Sequence, residues 1–283
     1  MLPVFLIALS GYFFGRWKKI DLSPINDFVI YLSTPALIIS SLSRDEIEIF
    51  LAAKVFLSVC IIIGVSFFIC LGIIRALRLP VKVYLPPALF ANTGNMGLPL
   101  VFFAFGESGF NVAILYMVST TILHYTVGIL ILNYDESPFE IFRLPLVYSA
   151  IAGVLLSVSG WTLPTPVFRA FDLLGEASIP TMIFALGYKL SEVPLTDVSR
   201  SFLVGGMRIL FGLILGIATA SIFKLDGVAS KVVILQSAMP PAIFNFVLAE
   251  KYNQDSERVA SIILAGTLIS VITTPVIIGF LLR

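Results

Sequence analysis

The chain has 283 residues, of which 58% are hydrophobic and only 12% charged, with a mean hydropathy of +1.03. Soluble domains carry about 25% charge, so the solvent for this fold is lipid, and a soluble one- or two-domain protein is excluded. The net charge is +1, and Lys and Arg are scattered between apolar tracts, which leaves no basic patch for a nucleic-acid partner.

Charge-free tracts mark the expected membrane spans. The first, Met1 to Gly15, has neither a charged leader region nor a small-residue cleavage site, so it is not read as a signal peptide. It is short for a span, and either the sequence is trimmed or this helix begins inside the bilayer. Four more tracts follow: Phe28 to Ser43, Val55 to Ile74, Val83 to Gly106 and Ser108 to Tyr134. After the polar link 135–143 come Leu144 to Phe168, Ala177 to Tyr188, Ser201 to Phe223 (broken by Arg208), Val232 to Ala249 and Val259 to Leu282. The sum is an all-α polytopic membrane protein of ten transmembrane helices. Cys60 and Cys70 lie ten residues apart in one tract, where helical geometry forbids a disulfide.

The halves share punctuation. Leu2-Pro3 matches Leu144-Pro145, Gly11 matches Gly153 and Pro24 matches Pro166, all at an offset of 142. Pro35 answers Pro180, and Val112-Ala113 answers Val259-Ala260. The expected organisation is therefore a first five-helix repeat over 1–134, a cytoplasmic link over 135–143 and a second five-helix repeat over 144–283, within one membrane domain. An odd number of helices inverts the second copy, the arrangement of many secondary transporters, and symmetry then predicts alternating access.

Eleven Lys and Arg fall on one set of connections (from Arg16, Lys18 and Lys19 to Lys251 and Arg258) and six on the other (including Arg44, Lys54, Arg169 and Lys224). The positive-inside rule makes the first set cytoplasmic, with both termini outside a plasma or inner membrane.

The fourth and ninth tracts are interrupted where a continuous helix is expected. In the fourth stands Asn92-Thr93-Gly94-Asn95-Met96-Gly97-Leu98-Pro99; in the ninth, Gln236-Ser237-Ala238-Met239-Pro240-Pro241, with Asn245 one turn on. Pro99 is expected to free the carbonyl of Asn95, and Pro240 and Pro241 those of Gln236 and Ser237. Two such breaks suggest a shared central cavity, because non-helical backbone survives at membrane depth only where protein buries it or water reaches it. Each break also begins a half-helix with unpaired N–H groups and a positive dipole end, suited to an anion.

These two segments, the second running on through Ala238-Met239-Pro240-Pro241-Ala242-Ile243-Phe244-Asn245, resemble the signatures of the auxin efflux carrier family. That family includes the plant PIN-type carriers and prokaryotic malate or malonate permeases, and its fold is similar to that of the bile acid sodium symporters. The resemblance covers nearly the whole chain. It implies a scaffold part and a transport part, with the fourth and ninth helices broken and crossing beside the substrate carboxylate. It also suggests a homodimer. Two departures stand out: the long cytoplasmic loop of many plant members is absent, and Lys54 stands where they carry an acidic residue early in the third helix.

The expected substrate is a small organic anion, a mono- or dicarboxylate, with no cofactor and no metal. The expected substrate-binding residues are Asn92, Thr93, Gly94, Asn95, Gly97, Pro99, Gln236, Pro240, Pro241 and Asn245. Possible coupling or charge partners are His124, Lys54, Arg208 and Glu176, with H⁺ or Na⁺ as the coupling ion. The alternatives are a sodium-coupled organic-anion symporter like the bile acid carriers and, in another class, a channel or membrane sensor. An intramembrane protease reading of Gly106-Glu107-Ser108-Gly109 fails, because His124 lies sixteen residues from Ser108, ~24 Å along a helix at ~1.5 Å per residue.

Overall fold

The structure, a computed structural model, describes residues 2–44, 48–133, 145–192 and 196–282. In chain order its helices are α1 (Leu2–Trp17), α2 (Ser23–Leu42), α3 (Ile49–Ala76), α4 (Val81–Leu89), α5 (Thr93–Leu132), α6 (Pro145–Ser159), α7 (Thr165–Glu192), α8 (Val198–Ile222), α9 (Gly227–Ser237), α10 (Phe244–Lys251) and α11 (Ser256–Leu281). Among the described residues there is no strand, only an isolated antiparallel bridge between Ala91 and Pro241. Among the described residues six helices, α2, α3, α5, α7, α8 and α11, are long and apolar enough to cross a membrane, and α6 and α9 are shorter apolar helices.

Proline and glycine set several of the ends. Pro24 and Pro166 occupy the first turns of α2 and α7, where a missing N–H costs nothing. The Asp255 side chain caps α11 by accepting from Arg258 N–H at 3.0 Å. The tract expected over Leu144 to Phe168 is instead divided: α6 ends at Ser159, Gly160 turns the chain at φ 65°, and α7 starts at Thr165 and absorbs the next tract as far as Glu192. Hydropathy misses this turn because it contains no charge.

A second reversal lies inside α5, between the tracts expected to end at Gly106 and to begin at Ser108. Gly106 adopts φ 68°, ψ −162°, a conformation open to glycine and strained for other residues. Phe102 and Phe110 would stand ~12 Å apart on a straight helix, yet their ring centroids are 5.5 Å apart. The two arms of α5 fold back on each other at Gly106.

Packing separates the helices into two groups. In one, α1 lies along α7 and α2 lies against α6 and α7; in the other, α3, α4, α5, α8, α9, α10 and α11 pack together. Each group draws elements from both halves of the sequence, so a first-half body moving against a second-half body is not what the contacts build. Small residues allow the close approaches. Gly11 meets the backbone of Phe184 and Tyr188, Gly187 meets that of Ala8, and in the other group Gly205 lies against Gly266.

Candidate functional site

Helix α4 holds Pro86 and Pro87, which cannot bond back to the carbonyls of Lys82 and Val83, and it stops at Leu89. Phe90 is extended (φ −98°, ψ 116°). Helix α5 then opens with a wide turn over Thr93–Gly97, in which Gly97 N–H donates to Asn92 O at 3.0 Å. On the other side α9 ends at Ser237 and α10 begins at Phe244, with Pro240 and Pro241 between them. The two linking stretches pair with each other: Asn92 N–H donates to Pro240 O at 2.8 Å and Ala242 N–H to Phe90 O at 2.9 Å, around the Ala91–Pro241 bridge. Backbone groups that lipid could not satisfy are thus satisfied mutually.

Pro99 does not interrupt its helix. It sits in the first turn of the regular segment starting at Leu98, and the gap in the helix falls upstream at residues 90–92. The Gln236 carbonyl is taken by Met239 N–H at 3.3 Å. The Ser237 carbonyl accepts from a guanidinium N–H of Arg208, a fully buried residue of α8. Arg208 therefore caps the carbonyl end of α9 and offsets the negative end of its dipole. Its Nε and Nη1 have no hydrogen-bond partner among the described residues.

Gln236 is buried against Gly97, where a Cβ would overlap its amide, and its Nε2 donates to Thr93 O at 3.3 Å. The Asn92 Nδ2 and Gln236 Oε1 are both buried, with no hydrogen-bond partner among the described residues. His124 stacks on Phe90, centroids 4.0 Å apart at 7°, and lies 2.9 Å from Asn245 Oδ1. The Asn245 amide donates to Phe90 O and Ala242 O, so it is occupied in holding both linking stretches.

A cavity of about 350 Å³ lies beside this crossing, walled by the α1–α2 link, the end of α7, α10 and Asn95. Of the residues singled out from sequence, Asn95 alone lines it; Gly94 packs near Met117. The rest of the wall includes Tyr188, Phe246 and Ile243, and the rim carries Asp21, Glu192 and Glu250 with Lys189. Lys189 pairs with Glu192 at 3.2 Å and sits 4.8 Å above the Phe246 ring. The Ser23 hydroxyl and backbone N–H hold the Asp21 carboxyl below the usual carboxylate range, so it stays charged at neutral pH.

Two sequence candidates lie elsewhere. Lys54 is half-buried near the start of α3, ~24 Å along the axis from Cys70 of the same helix. Glu176 is exposed on α7. Sequence reasoning overlooked Tyr188, which clamps the α1–α2 link by donating to Ile20 O at 2.9 Å and accepting from Ile20 N–H at 2.7 Å. It also left Arg44 as a mere topology marker. Among the described residues no group of three or more His, Cys, Asp or Glu could hold a metal ion.

A family model described as "Membrane transport protein" matches residues 1–143 and 135–278. The chain belongs to this family. The relatives of this membrane transport protein include auxin efflux carriers and prokaryotic transporters. A Methanothermobacter thermautotrophicus "Uncharacterized transporter" is 27% identical over 97% of this chain and 95% of its own. A Rhizobium meliloti "Putative malonate transporter" is 25% identical over 96% and 92%. The Arabidopsis thaliana "Auxin efflux carrier component 8" is 27% identical over 46% of this chain and 37% of its own. Family and relatives together make this a multi-pass membrane transporter and not an enzyme.

Proposed function

We propose that this transporter carries a small organic anion, a mono- or dicarboxylate, by alternating access. The observation that carries the reading is the pair of hydrogen-bonded linking stretches, 90–92 and 238–243, beside a cavity into which Asn95 projects. The amides of Gly94, Asn95 and Met96 precede the first intrahelical bond of α5, at Gly97, and so offer donors and a positive dipole end to a carboxylate. Arg208 adds a fixed positive charge behind α9. The Rhizobium meliloti relative supports a carboxylate, malonate, as the first candidate.

On this reading α4 with the first arm of α5, and α9 with α10, are the broken fourth and ninth of ten crossings. Residues 1–134 and 144–283 form inverted repeats about the link 135–143, the rim of the cavity faces the cytoplasm, both termini lie outside and the working unit is a homodimer. The solute moves as the group containing α3–α5 and α8–α11 shifts against the group of α1, α2, α6 and α7.

A second reading, cation-coupled entry, is favoured by the rim carboxylates Asp21, Glu192 and Glu250, which attract H⁺ or Na⁺ to the path of an anion. One screen tests both. Binding of malonate, malate and an aromatic acetate to purified protein is measured with and without Na⁺ at two pH values. Saturable binding of a carboxylate is expected; binding of none under any condition removes the anion reading, and affinity indifferent to Na⁺ and pH removes the coupled one.

A further inference from the structure

We propose that Arg44, Glu107 and Asp172 form a charged latch that closes the face opposite the cavity, and that the Arg44–Glu107 bond is the part that opens when solute leaves there. The inference rests on the alternating-access reading above.

The cavity opens beside residues 21–26, at the start of α2. That helix runs 20 residues from Ser23 to Leu42, ~30 Å at ~1.5 Å per residue, which places Arg44 on the opposite face. Glu107 follows the fold-back of α5, and Asp172 lies in the first half of α7, whose far end forms the cavity rim. At this face the Arg44 guanidinium donates through Nη1 to Glu107 Oε1 at 2.7 Å and through Nη2 to Asp172 Oδ1, and lies 5.5 Å from the centroid of the Phe168 ring. One planar fork thus holds two carboxylates from different helices.

The packing groups say which bond moves. Arg44 follows α2 and Asp172 is on α7, both in the first group, whereas Glu107 is on α5 in the second. The Arg44–Asp172 contact is internal to one body and survives a shift of the other. The Arg44–Glu107 contact spans the divide. Its exposure fits the role: the Arg44 and Asp172 side chains are 33% and 29% exposed, Glu107 64%. Beside Glu107, a Cβ at Gly106 would meet no described atom within 4 Å. An ion pair this exposed contributes little, so thermal motion can open it, as a reversible closure requires.

The test uses the full chain in membrane vesicles of both orientations. Cys60→Ser removes the more accessible native thiol, Cys70 stays buried, and Asn95→Cys reports access to a membrane-impermeant maleimide from either face. The same chain with Asn95 intact gives the background. With the latch present, labelling is expected from the cavity face and protection from the Arg44 face. Arg44→Gln and Glu107→Gln should each raise the ratio of Arg44-face to cavity-face labelling about fivefold, and Asp172→Asn less than about twofold. High salt should raise the ratio for the intact latch and leave Glu107→Gln unmoved. Glu107→Gln is an isosteric change at an exposed residue, so folding is not at issue. Ratios unchanged in both Arg44→Gln and Glu107→Gln overturn the latch. Failure to label from the cavity face even with the latch intact removes the cavity reading, and the latch with it.

Discussion

His124 Nε2 stands 2.9 Å from Asn245 Oδ1, while the Asn245 amide donates to Phe90 O at 3.3 Å and to Ala242 O at 3.0 Å. Because both acceptors are backbone carbonyls, Nδ2 must face them and Oδ1 must face the histidine, which makes Nε2–H the donor. A single histidine in the second arm of α5 therefore fixes the amide that joins the two linking stretches. This contact gives His124 a positional role that requires no change of charge.

Removing that donor leaves Asn245 Oδ1 buried and unpaired, at a cost of about 1–3 kcal/mol, to which loss of the ring stacked on Phe90 adds. We expect His124→Ala to lower the melting temperature in detergent by about 5–10 °C and His124→Gln, which keeps a donor, by less. A His124→Ala protein melting with the wild type would refute the positional role.

Arg208 separates stability from binding. A buried cation without a carboxylate partner is expensive to desolvate, so Arg208→Met should melt within a few degrees of wild type. Its buried charge behind α9 attracts a carboxylate bound at the crossing, so affinity for the carboxylate found in the screen should fall in Arg208→Met, and less in Arg208→Lys. Equal affinity in Arg208→Met and wild type would exclude the electrostatic role.

At Asn95 the side chain reaches the cavity and takes no part in the hydrogen bonds that join the linking stretches. Asn95→Ala should weaken carboxylate binding by about 1–2 kcal/mol, the value of a hydrogen bond to a charged group, with little change in melting temperature. Calorimetric titration of both proteins checks this.

Packing of α1 on α7 depends on Gly187, where a Cβ would run into the backbone of Ala8. Gly187→Leu should destabilise the protein by at least 2 kcal/mol. Gly64→Ala on α3 faces open space and should be neutral, which makes it the control for thermal melting.

Much of the helical content was legible because lipid imposes long uncharged tracts. The one misplaced boundary came from an uncharged turn, Gly160, which divides a tract read as one span; the reversal at Gly106 falls where the charge of Glu107 had already separated the fourth and fifth tracts. The interruption near Asn92 was recognised from its Gly, Asn and Pro content but attributed to Pro99, which instead begins a helix, while Pro86 and Pro87 precede the gap. Asn245 was read as a substrate ligand because a polar residue in lipid suggests function; its amide is engaged by three partners within the protein.

By itself the sequence determined the solvent, the helical class, the family signatures and the two places where helices could not continue, since each follows from local chemistry: hydropathy, missing proline N–H groups and glycine freedom. The tertiary structure decided which elements form a group, that Arg208 caps Ser237, and that Arg44 reaches both Glu107 and Asp172. Those pairings join residues 29 to 128 positions apart, and no periodicity along a chain specifies which of several charges at one face will meet; packing of the helices that carry them does.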